Sequence, residues 1–163
     1  YNRSELLEQL DRDEIDIVMG IKGILGRRRG LRKKDVAEIV RGILCRRKDW
    51  GDRQVLMPGD FRDETFFVMD EDGDMVLGSQ IREFCEPYGF IPRIQYVNSF
   101  DTMLNYVEMG RGVLVCDEWT RCTESAELLF VPLNSVHTVT LGWKEESQNV
   151  ALSVLIEEIE KSI

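Results

Sequence analysis

Between Thr65 and Cys116 the apolar residues switch period repeatedly, and this alternation constrains the fold more than any other feature of the sequence. Thr65–Met69 is a short apolar run of the kind that makes a buried strand. Ile81, Phe84, Cys85 and Tyr88 then fall at i, i+3, i+4 and i+7, which predicts an amphipathic helix. Gly89 suits the left-handed position that ends such a helix, with Pro92 just beyond. Arg93–Val97 is again a strand. Phe100, Met103, Leu104 and Val107 repeat the helical spacing, Gly110 closes that helix, and Val113–Cys116 is a third strand. Short links in a strand-helix-strand-helix-strand unit predict a parallel sheet with right-handed crossovers. Ligands bind such sheets at the carboxyl ends of the strands.

The flanking segments read less regularly. Asn2 and Glu5 have capping-box spacing and open a helix to about Asp11, with Leu6, Leu7 and Leu10 on one face. Glu14–Met19 reads as a strand covered on both faces. Gly20, Gly23, Gly26 and Gly30 punctuate a long loop, which holds the basic run Arg27, Arg28, Arg29, Arg32, Lys33 and Lys34, taken as a solvated loop. Ile39–Cys45 is a second strand. Leu128–Leu133 is apolar and is expected to end near Pro132. Thr138–Trp143 alternates as a strand, and Leu152, Leu155, Ile156, Ile159 and Ile163 mark a final helix. The terminal strands need each other to form a sheet. Two lobes are therefore expected: residues 1–48 with 136–163, and residues 49–135. The chain crosses between them near Arg47–Pro58 and Pro132–Thr138, the expected hinges.

Composition narrows the function. The 163 residues are 43% hydrophobic and 31% charged, a globular balance, and the net charge of −9 argues against this piece gripping nucleic acid by itself. No apolar run approaches the ~18 residues of a membrane span. Cys45, Cys85, Cys116 and Cys122 form no CxxC pair and His137 is the single histidine, so a zinc site is not expected. Cys45, Cys85 and Cys116 read as reduced core residues of a cytosolic protein. The chain begins at Tyr1 rather than Met and is expected to be a fragment of a longer protein.

Several segments, taken in order, resemble the effector-binding domains of LysR-type transcription regulators. They are Ser4–Leu10, Glu14–Val18, Pro58–Phe66, Phe84–Pro92 and Val107–Val113. The resemblance implies an α/β fold of two Rossmann-like lobes, like type 2 periplasmic-binding proteins, with a small-molecule effector held between them. It also implies a helix-turn-helix outside this sequence that alone touches DNA, homodimers or tetramers, and no cofactor, membrane or catalytic activity. The family's usual first strand, helix and strand have no counterpart, so the first lobe is expected to be incomplete. Cys116-Asp117-Glu118-Trp119 stands where the family tends to have Leu-Pro.

Ser99 precedes the helix bearing Phe100, so its hydroxyl and the free N–H groups can hold an anionic ligand group or simply cap the helix. The family uses the matching position for ligand. Asn98 shares both readings, and Ser79 has the same geometry at the preceding helix. Asn2 and Arg3 match a ligand-facing turn in the family; Arg3 either pairs with a carboxylate or is an exposed end. Gly20 and Ile21, Met69 and Asp70, and Cys116 and Asp117 follow strands and are expected to border the cleft. Asp70, Glu71, Asp72 and Asp74 are mis-spaced for a calcium loop and read as solvated. With Asp117 and Glu118 they raise the alternative of an amine effector. Cys116 reads as structural rather than redox-sensing, and His137 as structural. Two other functions suit the same fold: an extracytoplasmic solute receptor, which would need a secretion signal, and an enzyme, for which no nucleophile elbow or phosphate loop is present.

Overall fold

A computed structural model describes residues 3–25, 28–53, 56–69, 76–120 and 125–162, with backbone alone at 3, 4, 24 and 76. The chain divides into two compact units, Tyr1–Ile39 with Val136–Ile163, and Val40–Ser135. The first expected boundary, after residue 48, therefore falls earlier, at Ile39/Val40.

The second unit holds the alternating block. Its strands are β3 (Thr65–Met69), β4 (Arg93–Val97) and β5 (Val113–Asp117), with α4 (Val76–Cys85) and α5 (Phe100–Glu108) between them. β3 pairs in parallel with both β4 and β5, as short right-handed crossovers require. Alternation sends side chains to opposite faces. Phe66, Val68, Val113, Ile81 and Cys85 share a core on the α4 side. Phe67, Leu114, Met103 and Val107 share another on the α5 side. Both faces are covered, which is why the strands read as continuous apolar runs. Gly89 (φ 72°) and Gly110 (φ 68°) take the left-handed turns predicted for them.

β2 (Leu31–Arg46) and β6 (Leu128–Lys144) are 16 and 17 residues long, about three times the usual strand length. Each contributes to both units. β2 runs antiparallel to β5, with Arg41 opposite Asp117 and Ile43 opposite Val115. Strand neighbours follow the order β1-β6-β2-β5-β3-β4, where β1 is Val18–Ile21.

Several expectations need correction. The strand placed at Ile39–Cys45 begins eight residues earlier, at Leu31, so Arg32, Lys33 and Lys34 are exposed strand residues rather than loop. Their polarity hid the strand. β6 does not stop near Pro132. Proline lacks a donor and is tolerated where a strand has an open edge; Pro132 is exposed, and β1 pairs with β6 only over Val139–Gly142. The long glycine loop contains a helical turn, α2 (Lys22–Leu25). The first strand is Val18–Ile21, not Glu14–Met19, so Gly20 and Ile21 lie within it.

In the first unit, α1 (Arg3–Asp11) buries Leu10 against Val18, Leu25 and Leu31. Lys144 closes its carboxyl end, its Nζ donating to Asp11 O at 2.8 Å and to Asp13 Oδ1 at 2.6 Å. α6 (Ala151–Ser162) buries Leu152 and Ile156. Among the described residues no helix is long and apolar enough to cross a membrane.

Candidate functional site

Three strands of the second unit end at one sheet edge. β3 finishes at Met69, whose register partner on β4 is Val97. Asn98 and Ser99 follow directly and lead into α5. On the other side of β3, β5 ends with Cys116 and Asp117, facing Gly42 and Arg41 of β2. Parallel pairing forces all three carboxyl ends to the same side.

Ser99 has extended backbone (φ −150°, ψ 151°), and its Oγ accepts from Thr102 N at 3.2 Å. Its Oγ also lies 2.8 Å from Thr102 Oγ1. The cap reading of Ser99 is therefore realised, and its exposed position leaves the first-turn amides of α5 beside it. Phe100, Met69 and Cys116, all half-buried, pack against the α5-side core together. The structure thus brings Met69, Asn98, Ser99, Phe100, Cys116 and Asp117 to one edge. Asp117 Oδ1 accepts from Trp119 N and Thr120 Oγ1, both at 3.1 Å, which folds the following loop back on the strand end. Glu118 exchanges two hydrogen bonds with Val40: Val40 N donates to its Oε1, and its own N donates to Val40 O, both at 2.9 Å.

Ser79 does not have the geometry expected of it. α4 begins at Val76, so Ser79 sits a turn inside the helix rather than at its cap. Arg3 begins α1, while Gly20 and Ile21 sit in β1, opposite Thr140 and Val139. These three belong to the first unit. Asn2 and Asp70, the rest of the acidic loop to Asp74, and Cys122 lie outside the described residues.

Cys45 and Cys85 are free and buried. Burial pushes the Cys45 thiol up to about 12, assisted by the nearby Glu64 and Asp49 carboxylates, and burial pushes the Cys85 thiol up to about 11. Such thiols are inert.

Two grooves went unsignalled by the sequence. One, of about 450 Å³, is lined by Arg82, Glu83, Glu86, Gly89, Phe90, Ile91 and Pro92. The other, in the first unit, has about 520 Å³ between β1 and α6 and is lined by Met19, Leu141, Leu155 and Ile159 among others. Neither contains a candidate residue. Arg41 also went unnoticed; a charge interrupting the apolar run Ile39–Cys45 was the available signal.

No curated protein sequence matches the chain. Among solved structures it resembles CbnR, a LysR family transcriptional regulator, with a TM-score of 0.81 and 15% identity over 99% of this chain and 57% of that one. The BenM effector binding domain with its effector benzoate gives 0.77 and 16%, covering 99% and 75%. The regulatory domain of Synechocystis PCC6803 CcmR in complex with 2-PG gives 0.74 and 13%, covering 99% and 79%. At these identities the likeness is one of fold. The chain spans 57% of the CbnR chain's length. The family model for the LysR substrate binding domain matches residues 1–162, and the chain belongs to that family.

Proposed function

We propose that this chain is the effector-sensing part of a cytoplasmic, DNA-binding transcription regulator that acts as a homodimer or tetramer and is not an enzyme. In this reading a small-molecule effector is held at the carboxyl edge of the second unit's sheet, by Ser99 and the first amides of α5, with Met69, Phe100 and Cys116 as the apolar floor and Asn98 and Asp117 at the rim. The observation that carries it is the convergence of these residues on one edge of a parallel sheet, where such folds take ligands. The BenM effector binding domain holds benzoate and the CcmR regulatory domain holds 2-PG, both small molecules. Buried, unpaired Cys45 and Cys85 favour a reducing compartment over the extracytoplasmic receptor.

A ligand that binds one state of the regulator better than another shifts the balance by its differential affinity, typically ~1–3 kcal/mol. The test is a thermal-shift screen of metabolites on the intact protein, followed by promoter binding with the hit. The reading expects saturable stabilisation that weakens when Phe100 is replaced by Ala, and altered DNA binding. A hit insensitive to Phe100→Ala, or no hit from a broad metabolite set, contradicts it.

A further inference from the structure

The ladder between β2 and β5 ends in a side chain. Leu44, Ile43, Gly42 and Arg41 stand opposite Leu114, Val115, Cys116 and Asp117. Val40 and Glu118 come next in that register. An antiparallel bonded pair exchanges two backbone hydrogen bonds, and one of them is made: Glu118 N donates to Val40 O at 2.9 Å. The other is not a backbone bond. Val40 N donates at 2.9 Å to Oε1 of the Glu118 side chain, in place of the Glu118 carbonyl.

The replacement has a cause in the residues that follow. Thr120 N donates to Asp117 O at 3.1 Å, and Asp117 Oδ1 accepts from Trp119 N and Thr120 Oγ1. The chain therefore turns directly after Asp117. A turn there takes the Glu118 carbonyl out of line with Val40, and the carboxylate supplies the acceptor instead.

Two features set this bond apart from the rest of the ladder. A carboxylate is a stronger acceptor than a carbonyl, yet Glu118 is exposed, so rotation of one side chain makes or breaks the bond without disturbing the strands. Val40 is also the first residue of the second unit, where β2 leaves the first at Ile39. The strand register with β5 reaches no further back along β2 than Arg41, so the Val40 bond is the last fastening of β2 to this side before the crossing.

We infer that Glu118 is a releasable latch on β2 at the crossing between the two units, set by the turn at residues 117–120. The latch holds while the turn is folded and frees Val40 when the turn is drawn away. Because the turn stands at the carboxyl end of β5, a molecule that engages this turn acts on the latch. The latch is a property of the chain alone, so its failure would leave the effector reading standing.

Amide hydrogen exchange of the intact protein, resolved to single residues, tests it. Glu118→Ala should speed exchange at Val40 by about tenfold or more, the worth of one charge-assisted hydrogen bond, and leave Gly42 and Leu44 unchanged. Glu118→Gln keeps a side-chain oxygen and should recover most of the protection. Asp117→Ala loosens the turn and should also speed exchange at Val40. Adding Asp117→Ala to Glu118→Ala should then change Val40 no further, because both act through one bond. Glu118→Ala should melt where wild type does. Unchanged exchange at Val40 in Glu118→Ala, or no recovery in Glu118→Gln, would overturn the latch. Equal acceleration at Gly42 and Leu44 with a lower melting temperature would make Glu118 a general brace of the sheet instead. Val40 still protected in Asp117→Ala would show that the turn does not set the latch, and would overturn it too.

Discussion

Gly112 shows how little room single residues have in the second unit. A Cβ there would stand 2.1 Å from Thr65 O and 2.9 Å from the Phe67 ring, so the α5–β5 link passes against β3 too closely for any side chain. Gly112→Ala is expected to destabilise by ~3 kcal/mol, the upper range for overpacking, read from the urea midpoint. A change under ~1 kcal/mol would mean the link shifts freely. The buried thiols give a pH signature. Their folded pKa values are raised from the ordinary 9.0, so the stability they contribute is complete below about 9 and is lost as pH climbs toward 11 and 12. The folded protein should lose stability over that window, and a Cys45→Ala, Cys85→Ala double variant should lose less. Neither thiol should react with iodoacetamide at pH 7.5 until the protein unfolds. Residue-scale legibility in the sequence was uneven. Ser99 was readable because a cap has a fixed place before a helix. Ser79 was misread because its helix starts at Val76, three residues before it. Arg41 gave a signal, a charge within an apolar run, that the sequence reading passed over.

At the scale of elements, α5 offers a clean separation of capping from binding. Ser99→Ala removes the acceptor for Thr102 N and is expected to cost ~1 kcal/mol. Ser99→Asp preserves an acceptor and favours the helix dipole, so it should hold stability near wild type while repelling an anionic ligand. A melting curve for each variant checks the first expectation, and titration with the effector checks the second. Equal loss of stability in both would show that the hydroxyl matters for something other than the cap. β3, β4 and β5 were legible almost to the residue because they are short and alternate with amphipathic helices; β3 and β5 are apolar on both faces, while β4 alternates exposed Arg93 and Gln95 with apolar Ile94 and Val97. β2 and β6 were legible only in part. Their outer halves are one-sided or exposed, as at Arg32–Lys34, and exposed strand residues carry no apolar pattern. Pro132 was read as a terminator because its edge position is a fact of pairing, not of sequence.

For the whole molecule, the two-unit division comes from chain ends that complete one another: Tyr1–Ile39 has its core from Leu10, Val18, Leu25 and Leu31, while β6 closes beside β1 through Val139–Gly142. The segments that resembled the family fall in α1, in the approach to β1, and in the second unit's parallel block and its entry, and the family match over residues 1–162 is independent of that reading. The account stands or falls on where a ligand lands. Hydrogen exchange of the intact protein with and without saturating effector tests this most directly. Protection is expected at the amides of Asn98–Thr102 and at Cys116–Asp117, the edge where β4 and β5 end. Protection confined to the groove at Gly89–Pro92, or to the one between β1 and α6, would contradict the proposed site.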